Sequence, residues 1–409
     1  MSLPVSSGQR ERHRLQVVDV LRANGTASRA EIARSTGLSR ATVSGLVGEL
    51  QEEGVVVERD GEHPSAGPAG GRPATRLALN PSTGSAIGVD FGHTHLHVAI
   101  ADMSSRVLAE REAELDVDRA AERALDKAVR LVHEVIEEAG VDRGRILGVG
   151  MGLPGPINRE SGIVGPSVIL SAWEGLRPAA LLEERLGLPV TVDNDANLGA
   201  LGELTFGAGI GARQLLYVKI SSGIGAGLVI DGRIYRGATG VAGEFGHVLV
   251  NPDGALCRCG NRGCLETIAA TGPLLELLHP THGADFGVED LIAEANAGDA
   301  GCRRVLADAG RALGLELAGV CNVINPERVV IGGELSAARE PLLDGIRDSL
   351  TRHAQPLAHD AVELVAGVLG ARAEVLGALA VVIADPARMY PARMGAQPAD
   401  IARLRSPSS

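Results

Sequence analysis

One short segment holds four side chains that bind soft metal ions. The residues from Gly243 to Glu266 read GEFGHVLVNPDGALCRCGNRGCLE and include His247, Cys257, Cys259 and Cys264. One imidazole and three thiolates complete the tetrahedral ligand set of a structural zinc site and leave no position open for water. We therefore predict a structural zinc ion that fixes this loop.

Disulfide bonding is the alternative for these cysteines. Cys257 and Cys259 are separated by a single residue, a spacing that strains a disulfide. Residues 1–9 lack the pattern of a signal peptide, and no apolar run reaches the length of a membrane span. We therefore expect a cytoplasmic protein with reduced thiols and no membrane partner.

The same segment resembles a known family. A His followed ten residues later by Cys-x-Cys-Gly, and then by Gly-Cys-x-Glu, resembles the ROK family of sugar kinases and sugar-responsive repressors. The resemblance extends over residues 85–385, where further motifs follow in order. It implies an α/β fold with two lobes of the actin-like ATPase (ribonuclease H-like) type, to which the zinc loop would belong.

Charge separates a small head from a large body. A chain of 409 residues is too long for one ordinary core. The first 80 residues hold ten Arg and nine acids, a net charge of +1. Because the whole chain carries −12, the remaining residues carry a net charge of −13. Residues 9–40 contain seven Arg and three acids. This asymmetry predicts that only the head binds an acidic partner.

The head has the pattern of a winged helix-turn-helix. Ser28 and Glu31 form a capping box for the second helix, Gly37 supplies the turn, and Ser39 caps a third helix. The inner face of that helix would be Val43, Leu46, Val47 and Leu50. Strands at residues 55–59 and 75–79 would form the wing. An ordinary helical hairpin is the alternative.

A DNA-binding head would contact both grooves and the backbone. Arg72 lies in the segment Gly70-Gly-Arg-Pro73, which is similar to a motif of ROK repressors and suits a narrow minor groove; a flexible linker is the alternative. A homodimer or dimer of dimers would bind a palindromic double-stranded operator. The other candidate contacts are Arg40, Thr42 and Ser44 in the major groove and Arg29 and Arg34 at phosphates.

The chain beyond the head has an α/β pattern. A strand, a glycine loop and a second strand occur at residues 86–101 and again at 215–230. Single strands are predicted at 146–152, 190–193 and 329–331. With the two lobes and the sugar-binding role that the ROK resemblance implies, we divide the chain into a winged helix-turn-helix domain (1–80), a two-lobed sugar-binding domain (85–385) and a flexible tail (386–409).

Polar residues after the strand at 190–193 form a candidate sugar site. Carboxylates and amides suit sugar hydroxyls, but Asp193 or Asn194 could instead only cap the next helix. Trp173 could stack on a sugar or lie in the core. The family resemblance implies sugar contacts at the matching positions, which are Asn194, Asp195, Glu244, His247 and Glu266.

The first phosphate loop departs from that of the family's kinases. There it reads Asp-x-Gly-Gly-Thr-Lys, and here it reads Asp90-Phe-Gly-His-Thr-His95. A side chain at His93 would obstruct a phosphate, and a neutral His95 would not replace the fixed charge of Lys. We therefore expect ATP and Mg²⁺ binding to be weak or lost, and no catalytic residue; in a kinase, Asp195 would match the general base.

Other kinase motifs persist. The loop Ser221–Gly227 and the pair Gly332-Gly333 resemble the family's nucleotide motifs, although the glycines could serve only the turns. We predict a sugar-responsive DNA-binding transcriptional regulator, a repressor of carbohydrate-metabolism genes released by a sugar. The alternatives are an ATP-dependent sugar kinase that also binds DNA and a sugar-binding scaffold whose head does not bind DNA.

Overall fold

The computed structural model describes residues 7–59, 75–165 and 170–384. They form a head and a two-lobed body. The head contains α1 (Ser7–Asn24), α2 (Arg29–Thr36), α3 (Arg40–Glu52), β1 (Val56–Arg59) and β2 (Arg76–Leu79), and the two strands pair antiparallel. Residues 60–74, including Arg72 and its Gly-Arg-Pro motif, lie outside the described ranges.

Local capping sets the ends of the head helices. The Ser28 hydroxyl accepts the Glu31 backbone N–H (3.3 Å), and the Glu31 carboxylate accepts the Ser28 N–H (2.7 Å), which completes the predicted capping box. Gly37 adopts φ 70°, and the Ser39 side chain caps α3. The four apolar residues predicted for the inner face of α3 are all buried, so the predicted helix-turn-helix is confirmed.

The first lobe is built on a five-stranded sheet. The elements of this lobe are β3 (Ser85–Phe91), β4 (His95–Asp102), β5 (Val107–Glu114), α4 (Ala121–Ala139), β6 (Ile146–Leu153), α5 (Pro178–Leu186), β7 (Val190–Asn194) and α6 (Asp195–Phe206). The strand order of the sheet is β5-β4-β3-β6-β7, and β3 pairs antiparallel with β4 and parallel with β6.

The second lobe follows the first along the chain. Its elements are β8 (Leu215–Ile220), β9 (Ile224–Ile230), β10 (Arg233–Tyr235), α7 (Glu266–Ala269), α8 (Thr271–His282), α9 (Val288–Ala297), α10 (Ala300–Ile324), β11 (Arg328–Gly332), α11 (Glu340–His353), α12 (Pro356–Ala361), β12 (Glu363–Ala366) and α13 (Ala373–Ile383). Its sheet has the order β10-β9-β8-β11-β12, which repeats the topology of the first. The two glycine-loop hairpins predicted from the sequence are present, one in each of the two lobes that the family resemblance implies.

Helices α6 and α13 cross at very close range. A Cβ atom added to Gly377 would lie 1.8 Å from the Leu198 carbonyl oxygen, and one added to Gly202 would lie 2.2 Å from the Ala373 carbonyl oxygen. Only glycine permits this backbone contact. Glycines of β3 and β6 allow α13 an equally close approach to the first sheet. Any displacement of α6 must therefore move α13 or break this packing.

Helix α13 also contacts the head. Leu379 and Ile383 share one buried apolar cluster with Val17, Leu21 and Leu77 of the head. A side-chain N–H of Arg22 donates to the Ile383 carbonyl oxygen at 3.4 Å. One helix thus joins the interior of the body to the head. Across the described ranges, no helix is both long and apolar enough to cross a membrane.

Candidate functional site

A cleft of ≈ 730 Å³ between the lobes collects the five predicted sugar-binding residues. This volume lies in the range of small-molecule sites. The cleft is also lined by both glycine loops, the one after β3 and the one after β8. The residues predicted for sugar contacts and lining the cleft are Asn194, Asp195, Glu244, His247 and Glu266.

Asn194 combines the two roles that the sequence left as alternatives. Its side-chain oxygen accepts the backbone N–H groups of Ala196 (2.9 Å) and Asn197 (3.3 Å), which caps α6. Its side chain also lines the cleft. Asp193 instead forms an ion pair with Arg236 and accepts from the Asn197 side chain at 3.0 Å. Asp193 does not line the cleft and instead ties the first turn of α6 to Arg236.

The carboxylate of Asp195 is held by a lysine that the sequence analysis overlooked. Lys219 Nζ lies 2.9 Å from Asp195 Oδ2 and 3.3 Å from Glu374 Oε1. Burial opposes ionisation of Asp195, but Lys219 outweighs it and lowers the Asp195 pKa. A carboxylate with a lowered pKa and a fixed partner is a weak general base. The scarcity of lysine could have singled out this residue, because Lys219 is one of only two lysines in the chain.

Glu374, at the start of α13, gives the interior a pH dependence. Burial raises its pKa from 4.5 to about 7, so its protonated form stabilises the fold at low pH and this contribution is lost as pH rises through 7. We expect wild type to lose about 2 kcal/mol of stability relative to Glu374→Gln between pH 5 and pH 8. Urea unfolding at several pH values measures this difference, and parallel pH curves for the two proteins would contradict it.

The first phosphate loop is filled by its own histidines. His95 Nε2 lies 3.2 Å from Asp90 Oδ2, and the His95 ring covers Gly92, where an added Cβ would fall 2.1 Å from ring carbon Cε1. His93 Nδ1 lies 2.8 Å from Asp118. The hydrogen bond to Asp90 raises the His95 pKa. The His95 ring is therefore already hydrogen-bonded within the loop.

The second glycine loop is covered by an arginine. Arg258 donates to both carboxylate oxygens of Glu266 at 2.6 Å, and a Cβ on Gly223 would lie 2.3 Å from Arg258 Nη2. Gly333 has φ 75°, and its added Cβ would lie 2.4 Å from the Ile220 carbonyl oxygen. Backbone packing alone thus requires Gly333, whether or not a nucleotide binds.

The four predicted metal ligands converge. One ligand atom from each of His247, Cys257, Cys259 and Cys264 lies within 4.8 Å of all the others. His247 Nδ1 is 3.6 Å from Cys257 Sγ, while its Nε2 is 3.8 Å from Glu244 Oε2 in the cleft. The cluster can hold a metal ion, and its histidine is shared with the candidate sugar site.

The head presents most of its predicted DNA contacts to solvent. Arg40, Thr42 and Ser44 are all exposed in the first two turns of α3, and Arg34 is exposed on α2. Arg29 differs, because its guanidinium contacts the Gln51 side chain at 3.0 Å and Glu58 at 3.9 Å.

Several arginines of the basic head are neutralised inside it. Arg14 is 2% exposed and forms ion pairs with Glu49 and Glu53, and Arg10 also pairs with Glu49. The charge available for DNA is therefore smaller than the sequence count indicates.

Trp173 lies in the core and does not stack on a sugar. Its ring is fully buried, and its Nε1 donates to the Val117 carbonyl oxygen at 2.8 Å.

Comparison with known proteins assigns the body to a family and the head to a domain type. A sequence model of the ROK family matches residues 86–385. The chain belongs to the ROK family. A model of winged helix-turn-helix DNA-binding domains matches residues 10–57. The predicted family and the predicted fold class are confirmed.

The relatives of this ROK protein include regulators and a kinase. It is 33% identical over 388 residues to the xylose repressor of Caldicellulosiruptor bescii, covering 91% of this chain and 96% of the repressor. It is 34% identical over 314 residues to the glucokinase of Halalkalibacterium halodurans, covering 71% of this chain and 92% of the glucokinase. The crystal structure of a ROK family transcriptional regulator, a homologue of the Escherichia coli MLC protein, aligns with a TM-score of 0.73 at 26% identity, covering 93% of this chain and 97% of the regulator. The predicted function, a sugar-responsive DNA-binding transcriptional regulator, is confirmed.

Proposed function

We propose that this ROK protein represses transcription from a palindromic operator, that a neutral sugar in the cleft releases it, and that it does not phosphorylate the sugar. The observation that carries the proposal is the Lys219–Asp195 ion pair. Lys219 pairs with the carboxylate that a kinase would need as its general base. The head of the same chain presents an exposed recognition helix, as DNA binding requires. The sugar would be held by the residues that line the cleft around this pair.

The packing supports a route from the sugar to the head. Asp195 is the first residue of α6, α6 contacts α13 through glycines, and α13 shares an apolar cluster with the head. A sugar that pulls on the start of α6 would displace α13 and alter the spacing of two heads in a dimer. Each tenfold loss of DNA affinity requires the sugar to favour the released arrangement by about 1.4 kcal/mol.

We propose that the metal at the cysteine cluster is structural zinc. Three thiolates and one imidazole suit Zn²⁺ and leave no open position. The zinc would orient His247, whose other nitrogen faces the cleft. Zinc would thereby set the position of one sugar contact without touching the sugar.

An ATP-turnover assay separates this proposal from the kinase alternative. Purified full-length protein is incubated with Mg-ATP and xylose, glucose or N-acetylglucosamine, and ADP is measured with and without sugar. We expect no sugar-dependent ADP. Sugar-dependent ADP in wild type that disappears in Asp195→Asn would assign the protein to the kinases.

Two arginines of the head are predicted to contribute directly to DNA binding. Arg40→Ala should weaken operator binding by about 1–3 kcal/mol if the residue contacts a base, and Arg72→Ala should also weaken it. Sugar affinity should not change in either variant. Fluorescence anisotropy with a labelled operator measures the effect, and Arg347→Ala, which removes an exposed arginine from α11 of the body, is the matched control. Unchanged DNA affinity in Arg72→Ala would make the Gly-Arg-Pro segment a linker.

A further inference from the structure

A second cluster of metal-binding side chains also lies in the second lobe, and its residues do not line the cleft. One ligand atom each from His282, Asp299 and Cys302 lie within 4.8 Å of one another. His282 Nε2 is 3.8 Å from Cys302 Sγ and 3.9 Å from Asp299 Oδ1. With metal–ligand bonds of 2.0–2.3 Å, tetrahedral geometry sets ligand atoms about 3.2–3.8 Å apart, so small shifts would close this site.

The histidine is oriented in the tautomer that a metal requires. The Thr281 hydroxyl donates to the Leu278 carbonyl oxygen at 3.0 Å, and its oxygen lies 2.8 Å from His282 Nδ1. Because that hydroxyl has already used its proton, it must accept one from Nδ1. The lone pair of His282 is then on Nε2, the nitrogen that faces the thiol and the carboxylate.

The other two ligands are positioned by the start of α10. Asp299 caps this helix, and its Oδ1 accepts the Cys302 backbone N–H at 2.8 Å. The cap holds carboxylate and thiol on the same turn. Cys302 is buried, while the side chains of His282 and Asp299 are partly exposed and form the solvent side.

We infer that His282, Asp299 and Cys302 form a second site for a borderline-soft divalent cation, for which Zn²⁺ is the best match. One thiolate and one carboxylate balance the 2+ charge, and the imidazole is a neutral third ligand. Binding would displace the Cys302 proton to solvent and leave a fourth position for water. The ion would join the end of α8 to the start of α10 and brace α8, whose first N–H donates to the Ser221 carbonyl oxygen beside the cleft at 3.0 Å.

Zinc stoichiometry of the full-length protein tests this site. Reduced protein is dialysed against buffered Zn²⁺, and bound zinc is counted by mass spectrometry. We expect two zinc ions per chain in wild type and one in His282→Gln and in Asp299→Asn, which keeps a capping side chain. Cys321→Ala is the control, because Cys321 is also buried in α10 but lies outside both clusters.

Cys259→Ser separates the two sites. Cys259→Ser should lose the zinc of the cysteine cluster and keep one zinc per chain. Loss of that remaining zinc when His282→Gln is added to Cys259→Ser would support the second site, independently of what the cysteine cluster binds. Cobalt substitution gives an independent readout, since the second site should show thiolate-to-metal absorption from a single sulfur that disappears in Cys302→Ala. Equal zinc content in wild type, His282→Gln and Asp299→Asn, all folded by circular dichroism, would overturn the inference.

Discussion

Cys259→Ser should lose one zinc ion per chain and, with it, the response to sugar. Cys259 is the exposed member of the cluster, so the substitution removes a ligand without creating a cavity in a core. Without the metal the loop no longer fixes His247, and sugar affinity should fall at least about tenfold. Metal analysis and sugar titration followed by thermal shift measure both effects on the same sample.

Cys321→Ala is the matched comparison for this result, because it removes a thiol from α10 and leaves the ligands intact. It should retain zinc at the first cluster and full sugar response, although the small cavity will lower its melting temperature. A Cys259→Ser protein that has lost the metal and still binds sugar normally would disprove the link between the metal loop and the cleft.

Gly377→Ala should destabilise the protein by about 1–3 kcal/mol or more and uncouple the head from the cleft. The new methyl group would fall 1.8 Å from the Leu198 carbonyl oxygen, so α13 and α6 must separate. Chemical unfolding measures the stability loss. In the fraction that remains folded, DNA affinity should respond to sugar less than in wild type, because α13 no longer follows α6.

Gly319→Ala is the control for a glycine substitution in a helix. Gly319 is exposed within α10, and an added Cβ would meet no atom within 4 Å. Replacement there should stabilise the protein by about 0.5–1 kcal/mol through helix propensity alone and leave the sugar response intact. Equal effects of the two substitutions would show that the crossing of α6 and α13 is not a tight contact.

Much of the fold follows from local patterns in the sequence. The capping residues Ser28 and Ser39 and the apolar face of α3 specified the head. The repeated strand–glycine loop–strand pattern predicted two hairpins, and the family resemblance implied the two lobes that contain them. β5, β10 and β12 were not anticipated. The first two are sheet-edge strands with mixed polar and apolar residues, and β12 has only four residues, so none has the periodicity that identifies a strand.

The sequence predicted which residues line the cleft and the metal cluster, but not which side chains pair with them. Motif spacing identified the residues that converge on the cleft, because they flank strand ends and a cysteine loop. The pairing of Lys219 with Asp195, 24 residues apart in sequence, depends on how the lobes meet. Charge counts likewise overestimated the basic surface of the head, since burial of Arg14 between two glutamates is a tertiary effect.

Sugar-dependent release from DNA tests the central claim most directly. A duplex selected from random sequence by the full-length protein is labelled, and its dissociation constant is measured with each sugar of the panel and without nucleotide. We predict that the selected site is palindromic and that one sugar weakens binding at least about tenfold, with no further effect of Mg-ATP. A protein that selects no DNA, or whose DNA affinity no sugar alters, would contradict the account.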